Sequence, residues 1–219
     1  MSAGERAPTQ LIAGPAGELE TLIELPVGAE PVLAAVVCHP HPLFGGTLHN
    51  KVVHSVARVL RSHGAVTLRF NFRGVGASTG VHADGVGEGD DALAAVAALR
   101  MRWPALPLVL AGFSFGAAVA IAVASRARPA WLIAVAPAVD RVPLGGFQAP
   151  QCPWLIVQGA ADEVVSAEQV RQWCANSAPG AQLCMLPGVG HFFHGRLHEL
   201  QDCLVARWPA GLARSAAAG

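Results

Sequence analysis

The chain has 219 residues, of which 53% are hydrophobic and 14% are charged, so it carries enough apolar material for a globular domain with a large core. Its 15 lysine and arginine residues equal its 15 aspartate and glutamate residues in number, which leaves no basic excess to attract nucleic acid or an anionic membrane. This composition excludes a disordered chain and favours small-molecule chemistry. We expect one domain over residues 1–219, with a flexible tail at 210–219.

Strand and helix patterns alternate along most of the chain. Two short strands, at 9–13 and 18–24, open it around a Gly-Pro-Ala-Gly turn that is typical of a hairpin. Continuous apolar runs then predict strands at 32–38, 65–70, 106–111, 131–135, 153–158 and 182–186. Helical spacing of apolar residues predicts helices at 50–62, 88–102, 117–125, 167–176 and 197–207.

This order of elements indicates an α/β fold. Strands that are apolar throughout and are separated by helices form mostly parallel sheets with helices on both faces. In such sheets the ligand site lies beyond the carboxyl ends of the strands. The helix at 88–102 carries Glu88, Asp90 and Asp91 at its start, where we expect the carboxylates to complement the helix dipole.

Neither the start of the chain nor its cysteines indicate export. Residues 1–10 are polar, and no apolar run approaches the length of a membrane span. The cysteines are odd in number and include no C-x-x-C pair; they are Cys38, Cys152, Cys174, Cys184 and Cys203. Such a set is typical of buried, reduced thiols. We therefore expect a cytoplasmic protein without membrane association.

The most informative stretch is Gly-Phe-Ser-Phe-Gly at 112–116, between a predicted strand and a predicted helix. This placement of G-x-S-x-G is the nucleophile elbow of the α/β-hydrolases, whose tight turn raises the serine hydroxyl above the sheet. Gly112 and Gly116 fit because a side chain there would collide where strand and helix pack closest. The pattern also arises by chance in a chain with 24 glycines, but its flanking elements favour Ser114 as a nucleophile.

A serine nucleophile needs a base beside it and an acid behind that base. The segment G-A-A-D-E-V-V at 159–165 resembles the strand-end turn that carries the acid in many α/β-hydrolases, which points to Asp162. The segment L-P-G-V-G-H-F at 186–192 resembles the loop that carries their histidine, which points to His191. The chain order of serine, aspartate and histidine also matches the order in that fold.

Other residues could fill these roles. Asp162 could be a turn residue only, and Asp140, in the loop after the strand at 131–135, is the alternative acid. His194 and His198 are alternatives to His191, although the Gly-His-Phe context favours His191.

The reaction also needs an oxyanion hole made of N–H donors. The first donor is expected to be the backbone N–H of Phe115, the residue after the nucleophile. The second should come from the loop after the strand at 32–38, in which Pro40 and Pro42 have no N–H. The candidates that remain are His41, Leu43 and Phe44, of which we favour Leu43.

The same loop carries a family resemblance. Its sequence C-H-P-H-P-L-F-G-G-T-x-x-N-K-V-V, at 38–53, resembles the signature of small bacterial α/β-hydrolases that lack a cap domain and are known mostly as predicted serine esterases. The R-G-x-G-x-S turn at 73–78 also resembles theirs; Asn71 replaces their usual aspartate before it, and we interpret this turn as structural. The resemblance covers about residues 20–207. It implies a cap-less α/β-hydrolase fold and a serine hydrolase activity.

Two further features limit the substrate. Many α/β-hydrolases insert a lid where this chain has residues 136–152, a proline- and glycine-rich segment too short for a helical lid. Phenylalanines cluster in or beside the motif loops and are expected to form an apolar acyl pocket, with Phe113 packed under the elbow instead. They are Phe44, Phe113, Phe115, Phe192 and Phe193. An open apolar site favours esters or thioesters of short or medium acyl groups over long lipids.

Nine histidines raise the hypothesis of a metal site. The potential zinc ligands are His39, His41, His191, His194 and His198. No carboxylate stands at metal spacing beside them, so we expect structural roles for His39 and His41 and no metal. The Gly74-x-Gly76 pair lacks the rest of a dinucleotide fingerprint, so no cofactor is expected.

These patterns predict a serine hydrolase that cleaves carboxylic esters or thioesters through Ser114, His191, Asp162 and an acyl-enzyme. An acyltransferase, a peptidase or a dienelactone-type hydrolase with the same triad are alternatives. A non-catalytic binding protein on the hydrolase scaffold is a further alternative, which the intact Ser, Asp and His disfavour. The natural substrate and the oligomeric state stay open.

Overall fold

The computed structural model describes residues 8–142, 148–178 and 180–213, so residues 214–219 of the predicted tail lie outside the described residues. Eight strands form one sheet: β1 Gln10–Gly14, β2 Gly17–Glu24, β3 Leu33–Cys38, β4 Ala65–Phe70, β5 Leu108–Phe113, β6 Trp131–Val135, β7 Trp154–Gly159 and β8 Ala181–Leu186. Five α-helices accompany them: α1 Lys51–Ser62, α2 Val86–Arg102, α3 Phe115–Ala127, α4 Ala167–Ser177 and α5 Leu197–Ala206.

The sheet has the order β1-β2-β4-β3-β5-β6-β7-β8. Strands β3 to β8 pair in parallel, whereas β1 and β2 form an antiparallel hairpin that pairs with β4. Alternate residues of β3 belong to two separate hydrophobic cores, one beneath α2 and α3 and the other beneath α1 and α5. The predicted α/β fold, with a mostly parallel sheet and helices on both faces, is confirmed.

The start of α2 differs from the prediction in its first residue, and Glu88 in its first turn also accepts hydrogen bonds. The helix begins two residues earlier, at Val86, and Glu88 turns back to accept hydrogen bonds from the backbone N–H groups of Gly85 and Ala83, at 2.8 and 2.9 Å. Glu88 is fully buried. Hydrogen bonds to the helix entry thus compensate for the desolvation of this carboxylate.

The R-G-x-G-x-S turn joins β4 to α2 through an ion pair. Asp91 is buried and accepts hydrogen bonds from both Nε and Nη2 of Arg73, the latter at 2.7 Å. Asn71 accepts a hydrogen bond from the Leu48 N–H and donates one to Glu20, so its amide links β2 to the loop before α1. These contacts agree with a structural role for the turn.

The carboxyl ends of β3, β5, β6 and β7 open to the same edge of the sheet. The connection from β6 to β7 contains no helix in its described parts, 136–142 and 148–153, so no cap domain stands over that edge. All five cysteines are unpaired, and Cys38, Cys184 and Cys203 are buried. In the described ranges, no helix is both long and apolar enough to cross a membrane.

Candidate active site

Ser114 sits at the tight turn between β5 and α3. Its backbone has φ 56° and ψ −119°, a left-handed conformation that a side chain rarely adopts and that stores strain. A Cβ atom added to Gly112 would lie 2.2 Å from the carbonyl oxygen of Gly116, and one added to Gly116 would lie 2.3 Å from the carbonyl oxygen of His39. Both positions therefore require glycine, as the elbow motif predicts.

Ser114, His191 and Asp162 form a continuous chain of hydrogen bonds. The Ser114 Oγ lies 3.1 Å from Nε2 of His191, and Nδ1 of His191 lies 2.8 Å from Oδ2 of Asp162. The three side chains come from the ends of β5, β8 and β7, which the parallel sheet brings to one edge. Because His191 is only 2% exposed and Ser114 only 7%, water scarcely competes for these bonds.

The environment of Asp162 holds its carboxylate ionised and fixed. Its Oδ1 accepts hydrogen bonds from the N–H groups of Val164 and Val165, at 2.9 and 2.7 Å, and its Oδ2 also accepts one from Nε2 of Gln158. Burial by itself would raise the pKa of Asp162, but the hydrogen bonds from His191 and the backbone outweigh it and lower the pKa below its usual value.

Two positioning residues were missed by the sequence reasoning. Gln158 is a fully buried amide at the end of an otherwise apolar strand, and this contrast is the signal that could have identified it. Glu163 accepts a hydrogen bond from the backbone N–H of His191 at 3.1 Å, so the acid turn also anchors the histidine loop.

The alternative residues make other contacts. Asp140 is exposed and is not part of the hydrogen-bond chain. His194 lies with its Nδ1 2.8 Å from Nζ of Lys51, and His198 faces Glu199 at 3.8 Å. The geometry therefore favours Asp162 and His191 over these alternatives.

A cleft of about 370 Å³ opens over Ser114 and His191. Phe44, Val164 and Phe192 form an apolar part of its wall and are partly exposed to it. The other three phenylalanines of the motif loops, Phe113, Phe115 and Phe193, are buried beneath the site instead. Phe113 contacts the ring of His191, with ring centroids 5.0 Å apart, as expected for a residue under the elbow.

The first histidine of the H-P-H-P segment is a structural residue. His39 is fully buried, and its Nε2 accepts a hydrogen bond from the Phe72 N–H at 3.0 Å. Its Nδ1 lies 2.6 Å from the carbonyl oxygen of Pro40, so the neutral ring carries its proton on Nδ1. The imidazole thus ties the end of β3 to the end of β4 directly behind the site.

We expect His39 to lower the stability of the protein in acid. Burial, opposed only in part by the Pro40 carbonyl and by Glu88, lowers the pKa of His39 to about 4 from an unfolded value of 6.5. Its contribution is fully present above pH 6.5 and is lost as the pH falls towards 4, a change of about 3 kcal/mol. Urea unfolding at pH 7 and 4.5 should show a larger loss in the wild type than in His39→Gln. Equal losses would contradict this role.

The candidate oxyanion donors of the loop after β3 differ in whether their N–H groups already have an acceptor. The Leu43 N–H donates to Nδ1 of His41 at 3.2 Å, and the Phe44 N–H donates to the His41 carbonyl oxygen at 3.2 Å. Leu43 does not line the cleft, whereas His41 does. Among the described residues, the N–H groups of His41 and Phe115 have no acceptor. The geometry thus argues against Leu43 and favours His41 beside Phe115.

Within the part of the chain that the structure describes, no three His, Cys, Asp or Glu residues are grouped so as to hold a metal ion.

Comparisons with known proteins give consistent matches. A family model described as Hydrolase_4, serine aminopeptidase S33, matches residues 33–148. An uncharacterized protein of Rickettsia prowazekii is 37% identical over 182 residues, which cover 78% of this chain and 76% of the relative. An α/β serine hydrolase homologue from Coxiella burnetii superimposes with a TM-score of 0.89 at 43% identity, covering 95% of this chain and 100% of that one. A serine hydrolase without a lid from Xanthomonas campestris matches with a TM-score of 0.88 at 38% identity, over 95% and 98% of the two chains.

Proposed function

Since this chain belongs to the Hydrolase_4 family of α/β serine hydrolases, we propose that it cleaves carboxylic esters or thioesters of small to medium acyl groups. Ser114 is the nucleophile, His191 the general base and Asp162 the carboxylate that orients the histidine. The observation that carries this proposal is the unbroken hydrogen-bond chain from Asp162 through His191 to Ser114 at the strained elbow.

The hydrogen bonds support one direction of proton transfer. Because Asp162 is an ionised acceptor, Nδ1 of His191 carries a proton and Nε2 is free to accept the Ser114 proton. Ser114 Oγ then attacks the acyl carbon, and the imidazolium returns its proton to the leaving alcohol or thiol. A water molecule, deprotonated by His191, hydrolyses the acyl-enzyme and regenerates the serine.

The oxyanion that forms in each step needs N–H donors that are not already bonded. We assign this role to the backbone N–H groups of Phe115, the first residue of α3, and His41. The Leu43 N–H already donates to the His41 ring, so in this assignment the His41 N–H takes the place of the Leu43 N–H as the second donor.

Two substitutions distinguish the contribution of the His41 backbone N–H from that of the His41 ring. His41 has φ −50°, which proline can adopt, so His41→Pro removes the backbone N–H and the ring, whereas His41→Ala removes the ring only. We expect His41→Pro to lower kcat by about 100- to 1,000-fold relative to His41→Ala, the usual cost of one oxyanion donor. Steady-state kinetics on one ester, with circular dichroism to check folding, measures this. Equal kcat in the two folded variants would rule His41 out as a donor.

The cleft supports the substrate class. Its apolar wall of Phe44, Val164 and Phe192 suits an acyl chain, and its volume of about 370 Å³ suits a small or medium one. The cap-less edge of the sheet leaves room for the leaving group. A panel of esters, thioesters and amides of one acyl chain, with and without an added alcohol acceptor, separates hydrolysis of esters from peptidase and acyltransferase activity.

A fluorophosphonate probe tests the proposal without knowledge of the substrate. An activated serine attacks the phosphorus atom and displaces fluoride, so the wild type should gain one phosphonyl group on Ser114, located by peptide mass spectrometry. Ser114→Ala should gain none. A folded wild type that remains unlabelled would contradict a working triad and favour a non-catalytic binding protein.

A further inference from the structure

A second cleft, of about 630 Å³, lies between α1 and α5 beside strands β2 and β4. Its wall includes Lys51, which follows Asn50 in the wall of the active-site cleft. The Lys51 Nζ also lies 2.8 Å from Nδ1 of His194, three residues beyond His191. This second cleft therefore begins beside the active site and continues along α1.

Cationic and imidazole side chains dominate the wall of this cleft, which we call the basic groove; they are His49, Lys51, His54, Arg58, Arg69 and His198. Helix α1 presents Lys51, His54 and Arg58 on one exposed face and contains no carboxylate. Since the whole chain has a net charge of zero, this local excess of positive charge is not a general property of its surface.

The one carboxylate in the wall of the basic groove is already neutralised. Glu24 forms ion pairs with Arg61 and with Nη2 of Arg69, the latter at 2.7 Å. Burial would raise the pKa of Glu24, but these two guanidinium groups lower it below its usual value, so the carboxylate is held in its paired form. Lys51 and Arg58 have no carboxylate partner among the described residues and remain available to an anion.

Arg69 is buried, with only 3% of its surface exposed, and one of its N–H groups has no hydrogen-bond acceptor among the described residues. Its Nη1 donates to the carbonyl oxygen of Leu48 at 2.8 Å and its Nη2 donates to Glu24. The Nε–H of this side chain has no acceptor in the described parts of the structure. Because Glu24 is shared between the guanidinium groups of Arg61 and Arg69, this cluster keeps a net positive charge, which favours an anion such as a phosphate in the groove beside it.

We propose that the basic groove binds phosphate groups carried by the leaving thiol, so that the substrate is an acyl thioester of a phosphorylated carrier such as coenzyme A. This inference rests on the proposed function. The apolar cleft holds the acyl group at Ser114, and the thiol side extends past Asn50 to Lys51 and Arg58, which are about 10 Å apart along α1. Ser114 Oγ bonds to the acyl carbon, the C–S bond breaks, and sulfur takes the proton from His191. Water then releases the acid, so that thioester and water give acid and thiol.

The test compares two thioesters that differ only in their phosphates. We expect kcat/KM for butyryl-coenzyme A to exceed that for butyryl-pantetheine by about tenfold or more, the value of one or two charge-assisted contacts. The double variant Lys51→Gln/Arg58→Gln should bring this ratio close to one. Arg171→Gln, on α4 away from the groove, is the matched control and should keep the wild-type ratio. A ratio near one in the wild type, or a ratio unchanged in the double variant, would overturn the proposal.

A binding measurement keeps this test independent of catalysis. Calorimetry with Ser114→Ala should show that coenzyme A binds more tightly than pantetheine and that the difference shrinks at high salt. Equal binding of the two thiols would overturn the groove proposal while leaving ester hydrolysis intact. Conversely, failure of fluorophosphonate labelling would overturn the proposed catalysis, and the calorimetric comparison would still decide what the groove binds.

Discussion

Replacing Ser114 with alanine is expected to lower kcat/KM for an ester by at least about 10,000-fold, because no other group replaces the attacking oxygen. The oxyanion donors and the cleft remain, so only a small residual rate over water should survive. The variant should stay folded, because the Ser114 side chain makes no capping hydrogen bond to α3. Alanine should adopt the left-handed backbone conformation of the elbow about as readily as serine does.

Ser125→Ala is the matched control for this prediction. Ser125 is exposed and lies on α3, the helix that begins at the elbow, so the same loss of a hydroxyl occurs outside the site. Steady-state kinetics and urea unfolding of both variants separate catalysis from stability. A Ser114→Ala protein that retains more than a few per cent of the wild-type rate would show that another residue is the nucleophile.

The fold and the three-residue chain could be predicted because they depend on local sterics and on strand order. Gly112 is required by the carbonyl oxygen of Gly116, at 2.2 Å from an added Cβ, and Gly116 by that of His39 at the end of the neighbouring strand, at 2.3 Å. Both glycines lie two residues from Ser114, so this requirement leaves a short motif in the sequence. Asp162 and His191 follow strands directly, and parallel strands bring the residues that follow them to one edge.

His41, the second oxyanion donor that we propose, could not be predicted in the same way. The choice between His41 and Leu43 depends on which N–H already has an acceptor, and the acceptor here is a ring nitrogen whose position follows from the turn itself. The hydrogen-bond partners of Glu88 and Asp91 could not be predicted for a related reason. They are a turn N–H and an arginine 18 residues away, which the helical pattern does not identify.

The basic groove was also beyond sequence reasoning. Its residues come from β2, α1, β4 and α5, where each basic residue by itself is typical of a solvated surface. Only the sheet order, which places β2 beside β4, brings Glu24 to Arg69, and among the described residues Lys51 and Arg58 of α1 have no carboxylate partner. Charge that appears balanced along the chain is therefore unbalanced in space.

Asp162→Asn is expected to lower kcat by about 10,000-fold with little change in the position of the side chain. The N–H groups of Val164 and Val165 will keep the amide oxygen at the present site of Oδ1, so the amide NH₂ must face His191. An NH₂ group cannot accept the proton on Nδ1, and His191 then carries its proton on Nε2, where it cannot accept the proton of Ser114.

Asp140→Asn is the matched control for this prediction. Asp140 is the alternative acid suggested by the sequence, and its substitution makes the same chemical change outside the hydrogen-bond chain. We expect its kcat to stay within about twofold of the wild type, as for a surface substitution away from the site. Measurement of kcat for both variants on one ester at neutral pH compares the two acids directly. If Asp140→Asn loses the activity and Asp162→Asn keeps it, the acid is Asp140, and the hydrogen bond at 2.8 Å serves structure rather than catalysis.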